Sequence, residues 1–115
     1  MTGHSTLRTV PFLRLPEAPS WLIEPELGIW QRVVRDYELD EPGLALLELA
    51  LSAMTRWRES RDVLNAEGWT VDGRYGKRPH PAIAVERDSR MAAIRAWREL
   101  DLEGMPLPAP KQRGR

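Results

Sequence analysis

The chain has 115 residues, 42% hydrophobic and 30% charged, enough for one core and too few for two secure ones. Seventeen basic and seventeen acidic side chains cancel, so global charge does not mark a nucleic-acid binder and any such role rests on local charge. The absence of cysteine excludes disulfides, thiolate metal sites and cysteine nucleophiles, and no apolar run approaches the roughly 20 residues of a membrane span.

Met1 to Val10 lacks the apolar centre of a signal peptide, so the expectation is a soluble intracellular protein. Residues 1–20 mix Pro11, Pro16 and Pro19 with isolated apolar residues and carry no period long enough for an element. They are expected to form an extended arm. Val10, Phe12, Leu13 and Leu15 suit a groove of the same or a neighbouring subunit, with disorder as the alternative.

Residues 21–104 are expected to form a helical oligomerisation domain, mainly α, with three helices. From Pro25, the residues Leu27, Trp30, Val33, Val34 and Tyr37 recur at three- and four-residue steps, which predicts helix one over about 25–38. Asp40 offers an N-cap oxygen and Pro42 fits a first turn, so helix two is predicted from there to about Glu67, stopped by a left-handed cap at Gly68.

On a helical wheel Leu44, Leu47, Ala50, Leu51 and Met54 form one stripe, and Leu46, Leu49, Ala53, Trp57 and Leu64 widen it beyond a single core-facing side. Such a helix needs cover on more than one side, and another copy of the chain is the most economical source. Leu47, Leu51, Met54, Trp57, Arg58 and Arg61 are the expected contact residues between copies. Arg58 and Arg61 extend the stripe as a basic end, suited to lining a channel or, as the preferred reading, to pairing across a subunit boundary with acids such as Glu59, Asp62 or those of helix one.

Asp72-Gly73 has strong turn character between Thr70-Val71 and Tyr75, so residues 69–78 read as a small hairpin or irregular loop. Arg74, Lys77 and Arg78 fall within five positions there, on a segment that Gly73 and Gly76 keep slim, and would reach phosphate oxygens. A solvated turn is the plain alternative. Tyr75 would stack on a base or cover the hairpin, and covering is the preferred reading. His80, before Pro81, is expected to be structural, because its only fellow histidine is the distant His4.

Helix three is predicted from near Pro81 to about Leu100, with Val85, Ser89, Ala92, Ala93 and Ala96 giving the small side chains that allow close antiparallel pairing with helix two. Residues 105–115 alternate Pro106, Pro108 and Pro110 before Lys111, Arg113 and Arg115, the pattern of a flexible, extended, basic-ended tail that would add a second set of DNA contacts. Glu86 with Asp88, and Asp101 with Glu103, do not share a helical face, and neither a phosphate-cradling glycine motif nor a Ser-His-Asp arrangement is present. No enzymatic activity, cofactor or metal is expected.

From Leu27 to Leu102 the order of parts is distinctive. A tryptophan-bearing first helix ends in Asp36-Tyr37. A leucine-rich helix breaks at Glu67-Gly68, followed by Gly73-Arg74-Tyr75-Gly76-Lys77-Arg78, His80-Pro81 and an Arg95 to Leu102 ending. This order resembles the small terminase subunit of tailed double-stranded DNA bacteriophages, in the short subfamily without an amino-terminal helix-turn-helix domain.

The resemblance implies a non-enzymatic packaging adaptor in the cytoplasm of an infected bacterium. Such an adaptor forms a homo-oligomeric ring, expected here at about eight to ten subunits. It binds or presents viral DNA and regulates the ATPase and nuclease of the large terminase subunit. The tail would then serve as a tether for that partner or for DNA. A different class of function, an oligomeric helical regulatory or interaction protein, remains the alternative.

Overall fold

The computed structural model describes residues 5–7 and 15–102. In chain order they form β1 (Ser5–Leu7), α1 (Glu26–Asp36), β2 (Tyr37–Leu39), α2 (Glu41–Glu67), β3 (Thr70–Gly73), β4 (Gly76–Pro79) and α3 (Ala82–Leu100). The mainly helical class, the three helices and the short antiparallel ribbon between α2 and α3 are as the sequence predicts.

The ends of α2 follow from local chemistry. Asp40 Oδ1 accepts from the Gly43 amide at 2.8 Å, satisfying a free helix-start donor, and Pro42 occupies the first turn, where a missing N–H costs nothing. At the other end Gly68 has φ 89° and ψ 172°, and its amide closes onto the Leu64 carbonyl. The stop falls where expected, but the backbone takes the extended positive-φ form open to glycine instead of the left-handed helical form. The left-handed conformation appears at the end of α3, on Asp101 with φ 49°.

At 27 residues α2 is about 40 Å long. It runs antiparallel to α3: Trp57 meets Glu86 near one end, and Leu46 and Leu49 share a groove with Ala92, Arg95, Ala96 and Glu99 near the other. Along the seam α3 buries Ser89, Ala93, Trp97 and Leu100. Ser89 Oγ returns its hydrogen bond to the Val85 carbonyl one turn back, so the hydroxyl is satisfied without a partner across the seam.

α1 packs against the same hairpin, over the α2 segment that carries Leu47, Ala50 and Leu51. Its Trp30, Val33 and Val34 join Leu47, Ala50, Leu51, Trp97, Leu100 and Leu102 in one cluster, with Val33, Leu47, Ala50, Leu51 and Leu100 sealed from solvent. Each buried aliphatic side chain contributes about 1.5–3 kcal/mol relative to exposure. Leu22 enters the same cluster, and the Trp30 indole donates to the Pro16 carbonyl at 3.3 Å, so part of the proline-rich lead-in lies on this core.

Two local expectations are corrected. The first helix ends at Asp36, not near 38, because Tyr37 turns extended (φ −130°, ψ 142°) and Tyr37–Leu39 pairs antiparallel with Ser5–Leu7. Within the predicted arm, then, residues 5–7 form a strand. The ribbon turn also lies two residues beyond Asp72-Gly73, at Arg74-Tyr75, since Gly73 and Gly76 are the last ladder pair.

Candidate nucleic-acid interface

The ribbon rises from the junction of α2 and α3, and His80 fixes its root. The His80 amide donates to the Trp69 carbonyl at 2.9 Å, and its Nδ1 accepts from the Ala82 amide at 2.9 Å, capping the start of α3. An accepting Nδ1 assigns the proton of the neutral ring to Nε2, which then donates to Glu67 Oε1 at 2.8 Å. One imidazole thereby ties the end of α2 to the start of α3. The structural role read from the sequence has partners at both ring nitrogens.

Glycine is needed at the tip for two separate reasons. A Cβ on Gly73 would stand 2.9 Å from the Gly76 carbonyl oxygen, and Gly76 holds φ +123°. Neither Arg74 nor Tyr75 has a positive φ, so the conformational demand of this turn falls on Gly76.

The three ribbon cations are not equivalent. Lys77 faces Asp72 across the strands and its Nζ lies 3.1 Å from Asp72 Oδ1, an exposed pair that offsets its charge. Arg78 stands opposite Val71 and its methylenes lie against the space a side chain on Gly73 would fill. The Arg74 guanidinium sits 5.7 Å from the centroid of the Tyr75 ring. All of β4 is exposed, and Tyr75 is 94% exposed. A side chain that exposed covers nothing, which overturns the preferred reading of Tyr75 as a lid on the hairpin. At the root Trp69 is 57% exposed.

The residues expected to join copies divide into groups. Leu47 and Leu51 lie wholly inside the chain's own core, beneath α1, and are corrected to core residues: the wide apolar arc was legible, but α1 supplies the cover assigned to a second copy. Met54 and Trp57 are part-buried in the hairpin, where the Trp97 indole donates to Met54 Sδ at 3.2 Å and the Trp57 indole donates to Glu86 Oε2 at 2.9 Å. Arg61 packs its guanidinium 5.4 Å from the Trp57 ring.

Arg58 pairs with an acid of α1, but inside its own chain and not across a subunit boundary, which corrects its expected place between copies. It is a bidentate partner of Glu26, donating from Nε at 3.1 Å and from its terminal nitrogen at 2.8 Å, with Glu26 only 2% exposed. Burial alone would raise the Glu26 carboxyl. Hydrogen bonds from Arg58, the backbone and Thr55 overcome that and hold it below the ordinary 4.5, while the same contact raises Arg58. On α3, Arg90 holds Glu86 below the ordinary range against the effect of burial, helped by the Trp57 indole.

The apolar surface left open lies elsewhere on the hairpin. Leu46, Leu49, Ala92 and Ala96, rimmed by Arg95 and Glu99, line a shallow groove of about 250 Å³, with Leu49 62% exposed. The missed signal was positional: Leu49 sits on the outer edge of the wheel stripe, away from Leu47 and Leu51. Lys111, Arg113 and Arg115, with the whole 105–115 tail, lie outside the described residues. Among the described residues no helix is long and apolar enough to cross a membrane. No protein-family model, curated protein or solved structure matches the chain.

Proposed function

We propose that this chain is a small terminase subunit of a tailed double-stranded DNA phage, a non-enzymatic adaptor that presents viral DNA to the large subunit and regulates its ATPase and nuclease. The observation that carries the reading is the ribbon, which sets Arg74, Tyr75, Lys77 and Arg78 in solvent at one end of the helical hairpin. The order of parts from Leu27 to Leu102 supports the same reading. Phosphate contacts from the ribbon are sequence-tolerant and salt-sensitive. With Lys77 offset by Asp72, each subunit contributes little, and a ring would multiply that contribution. The open Leu46–Leu49 face is the surface on which copies would meet, and the basic tail would tether the large subunit or DNA.

Native mass spectrometry together with the ATPase rate of a cognate large subunit tests this. A closed multimer of about eight to ten copies that changes that rate is expected. A dimer without effect on the rate would favour a helical regulatory protein.

A further inference from the structure

We propose that Tyr75 is a base-stacking residue, giving the ribbon tip a preference for unpaired nucleobases, such as those of a single strand or a frayed duplex end, beyond its phosphate contacts. This rests on the reading of the ribbon as a DNA surface and adds a ligand class to it. At 94% exposure the Tyr75 ring is the most exposed large apolar side chain of the described residues, although it lies in a well-formed two-residue turn. Among the described residues its side chain is left almost wholly to solvent.

The ring is prepared on one face only. The Arg74 guanidinium lies 5.7 Å from its centroid, the distance of a cation held by the ring quadrupole. The other face remains for a flat partner. Gly73 and Gly76 flank the turn and present no side chain that would block a planar group from sliding beside it.

A second exposed aromatic, Trp69, stands at the root. Strand alternation puts Trp69, Val71 and Gly73 on one side of β3, the side across which Arg78 reaches. An aromatic at each end, with Arg78 between them and Arg74 at the tip, is the composition of a single-strand track, where stacking holds bases and guanidinium groups meet phosphates. Bases within an intact duplex have both faces covered by their neighbours, so Tyr75 gains nothing there. Phosphate contacts by Arg74 and Arg78 remain available to either form.

The experiment measures fluorescence anisotropy of the full-length assembly with a labelled 20-nucleotide oligo-dT and with a blunt duplex of equal length. The variants are Tyr75→Ala, Tyr75→Phe and the triple Arg74→Ala, Lys77→Ala, Arg78→Ala. Tyr75→Ala should weaken single-strand binding about tenfold, the scale of one lost stacking contact, and leave duplex affinity within about twofold. Tyr75→Phe should bind both like the parent, because stacking needs the ring and not the hydroxyl.

An unchanged single-strand affinity for Tyr75→Ala, while the triple variant weakens both ligands, would overturn stacking and leave the ribbon as a phosphate surface. Equal loss in Tyr75→Phe and Tyr75→Ala would overturn it in favour of a hydroxyl contact. If the triple variant binds both ligands like the parent, the DNA reading of the ribbon fails, and this inference with it.

Discussion

Where α1 covers the hairpin, Leu47, Ala50, Leu51 and Leu100 have no exposed surface and Glu26 is buried against Arg58, whereas at the ribbon end Tyr75 is 94% exposed and every residue of β4 faces solvent. Both ends belong to one pair of helices, yet their side chains have opposite relations to water. The covered end holds the apolar area that opposes chain entropy. The ribbon buries little and is held by a few backbone hydrogen bonds, the His80 clamp and two glycines. The exposed side chains at that end thus carry little packing duty, and the two ends should respond to substitution through different observables.

The largest loss of stability is expected at Leu51, which is 0% exposed. Leu51→Ala should cost about 3 kcal/mol, through lost transfer energy and an unfilled cavity. Chemical denaturation measures it, and a cost near zero would mean that α1 does not seal this part of α2.

Glu26→Gln should follow at about 2 kcal/mol, because Arg58 loses a bidentate carboxylate partner while keeping partial access to water. The pH dependence has a defined sign. Glu26 and Glu86 are more acidic folded than unfolded, so the unfolded chain binds more protons on acidification. Their stabilisation is fully present above about pH 4.5 and is lost as pH falls through the folded values. Denaturation curves between pH 7 and pH 3 should show a smaller acid loss for Glu26→Gln than for the parent.

Leu49→Asp should change stability by less than about 1 kcal/mol, since the side chain is 62% exposed, and should reduce the native mass of the assembly. Retention of the parental mass would move the contact between copies away from the Leu46–Leu49 groove. Substituting Met54 or Trp57 would give a less clear answer, because both belong to the chain's own α2–α3 packing. Removal of residues 105–115 should have the smallest effect, a melting temperature within about 1 °C of the parent and an unchanged mass, with weaker stimulation of the large subunit. Collapse of the assembly would place the tail between subunits.

The parts of the fold legible from the sequence are those that local chemistry decides. Asp40 with Pro42 and the break at Gly68 mark α2 because caps and prolines act within one turn. The ribbon turn was displaced because Asp72-Gly73 is a strong turn pair by itself, while the observed turn depends on positive φ at Gly76 and on the close approach of the Gly76 carbonyl to Gly73. The β1–β2 pair was invisible: each strand has three residues and the partners lie 30 or more positions apart, too little periodicity to register.

The apolar arc of α2 was also visible, but not its division between α1, α3 and open surface. A helical wheel gives angles, not neighbours. For the site, the basic cluster was readable from spacing, while the Asp72 partner of Lys77 and the exposure of Tyr75 depend on strand register, which the displaced turn shifted.

The dependence of DNA affinity on salt tests most directly whether the ribbon end carries recognition while the covered end carries the fold. Duplex binding should be measured from 50 to 300 mM salt for the parent and for the variant with Arg74, Lys77 and Arg78 all changed to Ala. Denaturation of both proteins serves as the control. The account predicts a flatter plot of log affinity against log salt for the variant, because fewer counterions are released, with stability within about 0.5 kcal/mol of the parent. An unchanged slope with unchanged stability would contradict it and remove the DNA surface from the ribbon.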